Sequence, residues 1–454
     1  MRRRRISISI GGMMLENQLL AVSEVVPEDL SQIQRHLPAE LIEQCLQHTG
    51  AATVRKRRLP AEQVVWLVIG SALFRRQSIS WVLSALDLAL DGKNVTVAPS
   101  AIPKARARLG VEPLHWLFEQ TGQWAHRLAR EQAWRGLALY AIDGTQLCVQ
   151  DTDSNERAFG RHRVGKHSTD VAYPQLRLAG LMAVRPRLLA KAVFGSLCNS
   201  ELTLAQNHLI AEIPDDSLTI VDRLYANSPT LLPLIQQGKE RHFLTRLKEN
   251  AKWEVLREIE DGDHHVRVPV NWDARNANPE LPRWYEARVI RYGNGYLLTS
   301  LLDSERYPAD ELRAMYHERW EIELGYDELK TDVLQQMPAL RSKSAPAVAQ
   351  ELWGVLLAYN LVRYEMALIA EQAKVSPNRI SFVMALSLIC AHWQCCALTT
   401  PGAIPRHLQD LRARVGAFVL PERRTARRYP RAVKRKESKY PRKKPRGMIA
   451  LFPK

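Results

Sequence analysis

The sequence predicts an α/β protein: a mixed sheet flanked by helices, entered from an all-α N-terminal region, interrupted by a mostly β stretch and followed by a basic C-terminal tail. Three observations predict it. The hydrophobic period is helical from residue 20 to 130 and switches to about 2 at residue 137. Beyond that point strand-like and helix-like runs alternate to residue 247. A cluster of short strands between 253 and 302 then gives way to a long helical pattern.

In the N-terminal region Leu41 to Leu46, Pro60 to Phe74 and Trp81 to Leu90 carry apolar residues at i, i+3, i+4 spacing, with Pro60 and Ser80 as helix starters. Ser100 to Gly110 is a short basic segment with an N-cap serine, the cations Lys104, Arg106 and Arg108, and a terminal glycine. It fits a DNA recognition helix and fits equally an exposed helix face with no ligand. Leu137 to Ile142 is a buried strand that ends in Asp143-Gly144-Thr145. Pro174 to Val184 and Leu188 to Phe194, joined by Arg185-Pro186, form an antiparallel meander with it. Glu201 to Ile213 is an amphipathic helix, Leu218 to Val221 a fourth strand ending in Asp222, Ser228 to Gln237 a helix, and His242 to Leu247 a fifth strand. The β stretch holds Trp253 to Ile259, an Asp261-Gly262 turn, His265 to Val270, then Trp284 to Tyr292 and Tyr296 to Leu302 joined through Gly293-Asn-Gly295. One long helix is expected from Ala309 to about Val333, with further helices from Ala345 and Ser381.

The chain has 454 residues, 46% hydrophobic, and 64 Lys and Arg against 48 Asp and Glu, a net charge of +16. Such a composition excludes intrinsic disorder. No run of 18 apolar residues appears, so no membrane span is expected. The serine-alternating start after Arg2 to Arg5 does not read as a secretory signal. Six scattered cysteines without Cys-x2-Cys pairs suit a reducing cytoplasm, and Cys390-Ala-His392-Trp-Gln-Cys395-Cys396 reads as a helix face, not a metal site. The excess charge lies in two tails. Residues 421 to 454 hold 14 basic and 2 acidic groups, Arg2 to Arg5 supply the remainder, and residues 6 to 420 are neutral. The segment Arg423 to Arg446, interleaved with Tyr and Pro, can lie along phosphates but cannot bury a core.

Two strands each deliver an aspartate at the carboxyl end, Asp143 and Asp222. If the strands are neighbours the carboxylates converge, and they coexist only when protonated or neutralised by a cation. An oxygen-only set favours magnesium over zinc. An aspartate at a strand end is also a common turn or cap residue. On the long helix, Tyr316, Arg319, Glu323 and Lys330 share a stripe about 60° wide at about 100° per residue, beside the apolar face. The same spacing fits a plain Arg319–Glu323 ion pair on a solvated face, and spacing alone does not choose.

Tyr316-x2-Arg319-x3-Glu323-x6-Lys330 resembles, in full, the Y-R-E-K signature of the insertion sequence 4 family of DDE transposases. Asp143-Gly-Thr is similar to the family's first acidic motif and Val221-Asp222-Arg223 to its second, although Leu224 stands where relatives usually have glycine. Asp151-Thr-Asp-Ser-Asn with Phe159-Gly, Tyr173-Pro-Gln, Leu340-Arg-Ser-Lys343 and the basic tail extend the resemblance over residues 25 to 450.

The resemblance implies a ribonuclease-H-like catalytic core with helices on both faces of a mixed sheet, split by a β insertion. It organises the chain as an extension (1–24), a helical DNA-binding domain (25–130), the core's first part (131–248), the insertion (249–305), the core's second part with C-terminal helices (306–400) and the tail (401–454). It implies a magnesium- or manganese-dependent enzyme with two ions per site, held by Asp143, Asp222 and Glu323. Such an enzyme acts on the terminal inverted repeats and target of an insertion sequence by cleavage, hairpin closure and strand transfer, as a homodimer on double-stranded DNA in the bacterial cytoplasm, at the nucleoid. Arg319, Lys330 and Tyr316 are then phosphate contacts, and Trp284 or Trp272 stacks a flipped base unless core packing claims it. Alternatives are a nuclease or resolvase on the same fold, or a catalytically silent DNA-binding derivative.

Overall fold

The computed structural model describes residues 37–52, 58–86, 97–162, 173–396, 411–416 and 418–421, with the side chains of 392–396 left aside. Arg2 to Arg5, the tail from Arg423 to Arg446, and the His392, Cys395 and Cys396 side chains lie outside the described residues. Five helices come first: α1 (Ala39–His48), α2 (Ala61–Leu73), α3 (Ile79–Ala85), α4 (Ala101–Leu109) and α5 (Glu112–Glu131). Ser78, not Ser80, starts α3, because its hydroxyl accepts the Trp81 N–H at 3.1 Å. Ser100 has helical backbone angles and makes no side-chain cap, so α4 lacks the expected start.

The core elements follow as β1 (Ala138–Cys148), α6 (Asp153–Phe159), β2 (Gln175–Ala183), β3 (Leu188–Ser196), α7 (Glu201–His208), β4 (Ser217–Val221), α8 (Ser228–Gln236) and β5 (Arg241–Arg246). The β-rich stretch supplies β6 (Glu254–Glu260), β7 (Asp263–Pro269), the short helix α9 (Trp272–Ala277), β8 (Trp284–Tyr292) and β9 (Gly295–Thr299). Then come α10 (Ala309–His317), α11 (Trp320–Asp327), a π turn (Glu328–Val333), α12 (Ala345–Gln372) and α13 (Phe382–Cys396).

Among the described residues all nine strands form one sheet in the order β3-β2-β1-β4-β5-β9-β8-β7-β6. β1 is antiparallel to β2 and parallel to β4, and β4 is parallel to β5. The β-rich stretch extends this sheet through an antiparallel β5–β9 pair and a two-residue turn at Gly293-Asn294, where Gly293 has a φ of +57°. Alternation along the strands fills two cores. Leu139, Ala141, Leu218 and Ile220 face the side with α2, α11 and α12, while Tyr140, Ile142 and Val221 face α7 and α8. α12 is the hub. It is apolar all round and buried along most of its 28 residues, and a Cβ on Gly354 would fall 2.5 Å from Val68 of α2, so glycine sets how closely the two helices cross. Length and composition alone would let α12 cross a membrane, but 89% of its most apolar window is buried inside the fold.

Two expectations need correction. β1 does not end at Ile142: it runs to Cys148 because β2 pairs with it throughout, from Tyr140↔Ala183 to Cys148↔Gln175, so Asp143-Gly-Thr is strand, not turn. The helix from 309 to 333 is not continuous. At Glu318 and Arg319 the backbone tightens to i→i−3 bonds (Glu318 N–H to Met315 O 2.9 Å, Arg319 N–H to Tyr316 O 3.2 Å), and after Asp327 it widens to a π turn.

Candidate active site

The parallel pairing of β1 and β4 runs from Ala138↔Ser217 to Ile142↔Val221, so the next residues, Asp143 and Asp222, stand side by side where β4 ends. By the alternation both leave the sheet toward the α11 side. The Asp143 carboxylate accepts the Gly144 N–H at 2.9 Å, and that of Asp222 accepts the Leu224 N–H at 2.6 Å, so Asp222 also organises its own turn. Burial pushes the Asp143 carboxyl up to about 7; Glu201 and Asp222 push the same way, against the Gly144 hydrogen bond and Arg319. A proton or a cation is what such a pair lacks.

Glu201 was not legible in the sequence, where an acid after Ser200 reads as an ordinary first-turn residue of α7. Its carboxylate lies against the Gly144 backbone: a Cβ on Gly144 would sit 2.3 Å from the carboxyl carbon. Glu201 also accepts the hydroxyl of Tyr225, three residues beyond Asp222, at 2.7 Å. The glycine after Asp143 is the one signal that pointed to it.

Of the Y-R-E-K residues, Arg319 is near enough to act on Asp143, and Tyr316 lies on the side of Asp222. Arg319 binds Glu323 at 2.7 Å, with its guanidinium 5.2 Å from the centre of the Trp320 ring, and Trp320 is itself 55% exposed. Tyr316 is buried, its hydroxyl pKa raised by burial, with Arg319, Asp222 and Arg246 near enough to act on it. Tyr326 of α11 donates its hydroxyl to the Asp143 carbonyl at 2.9 Å, which ties the helix to the strand. Lys330 lines a cavity of about 240 Å³ with Gln146, Cys148 and Leu340. A second cavity of about 530 Å³ opens beside Asp222 and is lined by Arg223, Lys248 and Asn250. Among the described residues no three acidic, histidine or cysteine side chains stand close enough to hold an ion as they are. Asp143 and Asp222 fit a hard cation in position and chemistry, whereas the Glu323 carboxylate is turned to Arg319.

Arg106 is corrected: it does not face outward with Lys104 and Arg108. Its guanidinium is bound to Gln350 at 2.8 Å and to the Ala347 carbonyl at 3.3 Å, joining α4 to α12, and of the three cations only Lys104 and Arg108 are exposed. Core packing claims neither Trp272 nor Trp284, which are 66% and 45% exposed.

The family description "Insertion element 4 transposase N-terminal" matches residues 27–119 and "Transposase DDE domain" matches residues 134–361. Transposase InsG for insertion sequence element IS4, of Escherichia coli strain K12, is 39% identical over 418 residues, 91% of this chain and 93% of that protein. InsZ of the same strain is 36% identical over 298 residues, 62% of this chain and 97% of that protein. Among solved structures, a piggyBac transposase synaptic complex with hairpin DNA aligns over 88% of this chain and 87% of its own, with a TM-score of 0.40 and 10% identity. With a whole-length relative, both family descriptions, two adjacent aspartates and the complete Y-R-E-K spacing in agreement, the chain belongs to the insertion sequence 4 family of DDE transposases, divalent-metal-dependent enzymes that act on DNA.

Proposed function

We propose that the chain cuts an insertion sequence out at its terminal inverted repeats and joins it to a target, with Asp143, Asp222 and Glu323 as the catalytic acids. The observation that carries this reading is the β1–β4 pairing, which sets two aspartates side by side, one with its carboxyl pushed to about 7. Asp143, Asp222 and Glu323 would hold two magnesium or manganese ions, which would neutralise charge building on the attacking and leaving oxygens. Around them the protein's part is positioning. Glu323 exchanges Arg319 for this role, and the freed guanidinium, with Lys330 and the Tyr316 hydroxyl, binds the phosphates that flank the cut. Exposed Trp284 or Trp272 stacks a base drawn out of the duplex beside a hairpin end. Lys104, Arg108 and the basic tail hold flanking DNA electrostatically, and two copies of the chain bind two ends in the cytoplasm, at the nucleoid. Nuclease, resolvase and silent DNA-binding readings have no comparable support.

The test is cleavage of a terminal-repeat duplex with the full chain. Asp143→Asn, Asp222→Asn and Glu323→Gln should each abolish cleavage while leaving end binding within about threefold, in the manner of metal-site carboxylates. Full cleavage by any one of them sinks the assignment of that residue.

A further inference from the structure

A helix broken at both ends is not oriented by its own backbone. α11 follows the tightened turn at Glu318-Arg319 and runs into a π turn at Glu328, so something else must set its rotation. Two carboxylates do so, Glu321 buried and Glu328 half-buried. Glu321 and Glu328 are seven residues apart, two turns along one face, and Glu323 and Lys330 repeat that spacing two residues later. Within α11, at about 100° per residue, Glu323 points roughly 200° away from Glu321, which is turned into the protein.

The inward pair is fully engaged. Arg187, in the β2–β3 turn, donates to Glu321 at 2.5 Å and to Glu328 at 2.5 Å. Arg363 of α12, with no exposed surface, donates to Glu328 at 2.9 Å. Tyr359 of α12 donates its hydroxyl to the Arg187 carbonyl at 3.0 Å and approaches Glu328 at 3.3 Å, and Asn378 donates to Glu321 at 2.9 Å. Arg187 keeps a φ of +52°, a left-handed conformation unusual for a residue with a side chain, and in that conformation its head group reaches both carboxylates. α11 is also seated tightly: a Cβ on Gly325 would fall 2.5 Å from the Met182 methyl and 2.9 Å from the Tyr359 hydroxyl.

We propose that Arg187, Arg363, Glu321 and Glu328 are positioning residues, a charge clamp that sets the rotation of α11 and so aims Glu323 toward Asp143 and Asp222. A buried ion pair is weak as a source of stability when well-packed apolar groups could replace it, but its fork geometry fixes orientation. The inference rests on the reading of Glu323 as the third catalytic acid.

The experiment uses the full chain and compares Glu328→Gln, Tyr359→Phe, the apolar pair Arg363→Met with Glu328→Leu, and Glu323→Gln as reference. Four quantities are read: Tm, affinity for a terminal-repeat duplex, single-turnover cleavage rate, and Mn2+ affinity by calorimetry. Glu328→Gln should bind the duplex within about twofold of the parent but lose about 10-fold or more in cleavage and in Mn2+ affinity, the scale expected when the support of a metal-binding carboxylate is removed. Tyr359→Phe should show a smaller loss in the same two quantities. The apolar pair should recover Tm toward the parent without recovering cleavage. If cleavage recovers with Tm, or if Glu328→Gln cleaves at the parent rate while Glu323→Gln is inactive, the clamp is only structural and the proposal falls. If Glu323→Gln itself cleaves, the reading of Glu323 fails, and the clamp with it.

Discussion

The two halves of the nine-stranded sheet have opposite characters. β4, in the inner half, is buried at every residue, whereas β6, at the far edge, is exposed at all but one. The inner half is covered on both faces by helices and carries Asp143 and Asp222; the outer half carries Trp284 at the start of β8 and places α9, with Trp272, between β7 and β8. A fully packed half can hold carboxylates to fractions of an ångström, and an open half can present surface to a large, charged partner. The division teaches that fixing a pair of carboxylates and presenting an open surface make different demands on strands of one sheet.

The sharpest break of this contrast lies at the outer half's own buried ion pair. Arg288 is 1% exposed, binds Asp263 at 2.8 Å and donates to the Tyr307 carbonyl at 2.6 Å, joining the outer strands to the approach of α10. Arg288→Met strands a buried carboxylate and should cost about 3–5 kcal/mol in denaturant unfolding, as much as any substitution in the inner half. Next comes Leu218→Ala in β4, which removes a fully buried side chain and should cost about 2–5 kcal/mol by the same measurement.

A third prediction concerns pH. In the folded protein the Asp143 carboxyl titrates near 7, against an ordinary value of 3.8. The native state therefore holds its proton more tightly than the unfolded state, and stability from this group is lost as pH rises from about 4 to about 7. At pH 8 without divalent ions, Asp143→Asn should raise Tm, and at pH 4 the gain should vanish. Mn2+ should raise the Tm of the parent more than that of the variant, and equal shifts in calorimetric scans would refute the account. The smallest effect is expected at the edge. Val255→Thr on β6, where the side chain is already exposed, should change stability by less than about 0.5 kcal/mol.

Much of the inner half was legible in the sequence because its strands are buried on both faces and read as unbroken apolar runs. The meander, the strand ending before Asp222 and the Y-R-E-K spacing all follow from local pattern. What was not legible depends on partners distant in sequence. Gly144-Thr145 reads as a turn until β2 is known to pair along it, and Glu201 reads as a helix-start acid until α7 is known to cross Gly144. Arg106 looks like one cation among three until Gln350, 244 residues away, claims it. The break at Glu318 is equally hidden, since helix propensity continues through residues whose backbone tightens in the folded chain.

The continuous ladder across the sheet has a mechanical consequence. β9 is bonded to β5 from Leu244↔Thr299 to Arg246↔Leu297, and β5 to β4 up to Val221↔Thr245, one residue short of Asp222. A pull on the outer strands is therefore carried to the aspartate as shear along rows of backbone hydrogen bonds, which are stiff in that direction. If the proposed roles hold, the surface that grips DNA and the edge that cuts it would share one rigid plate.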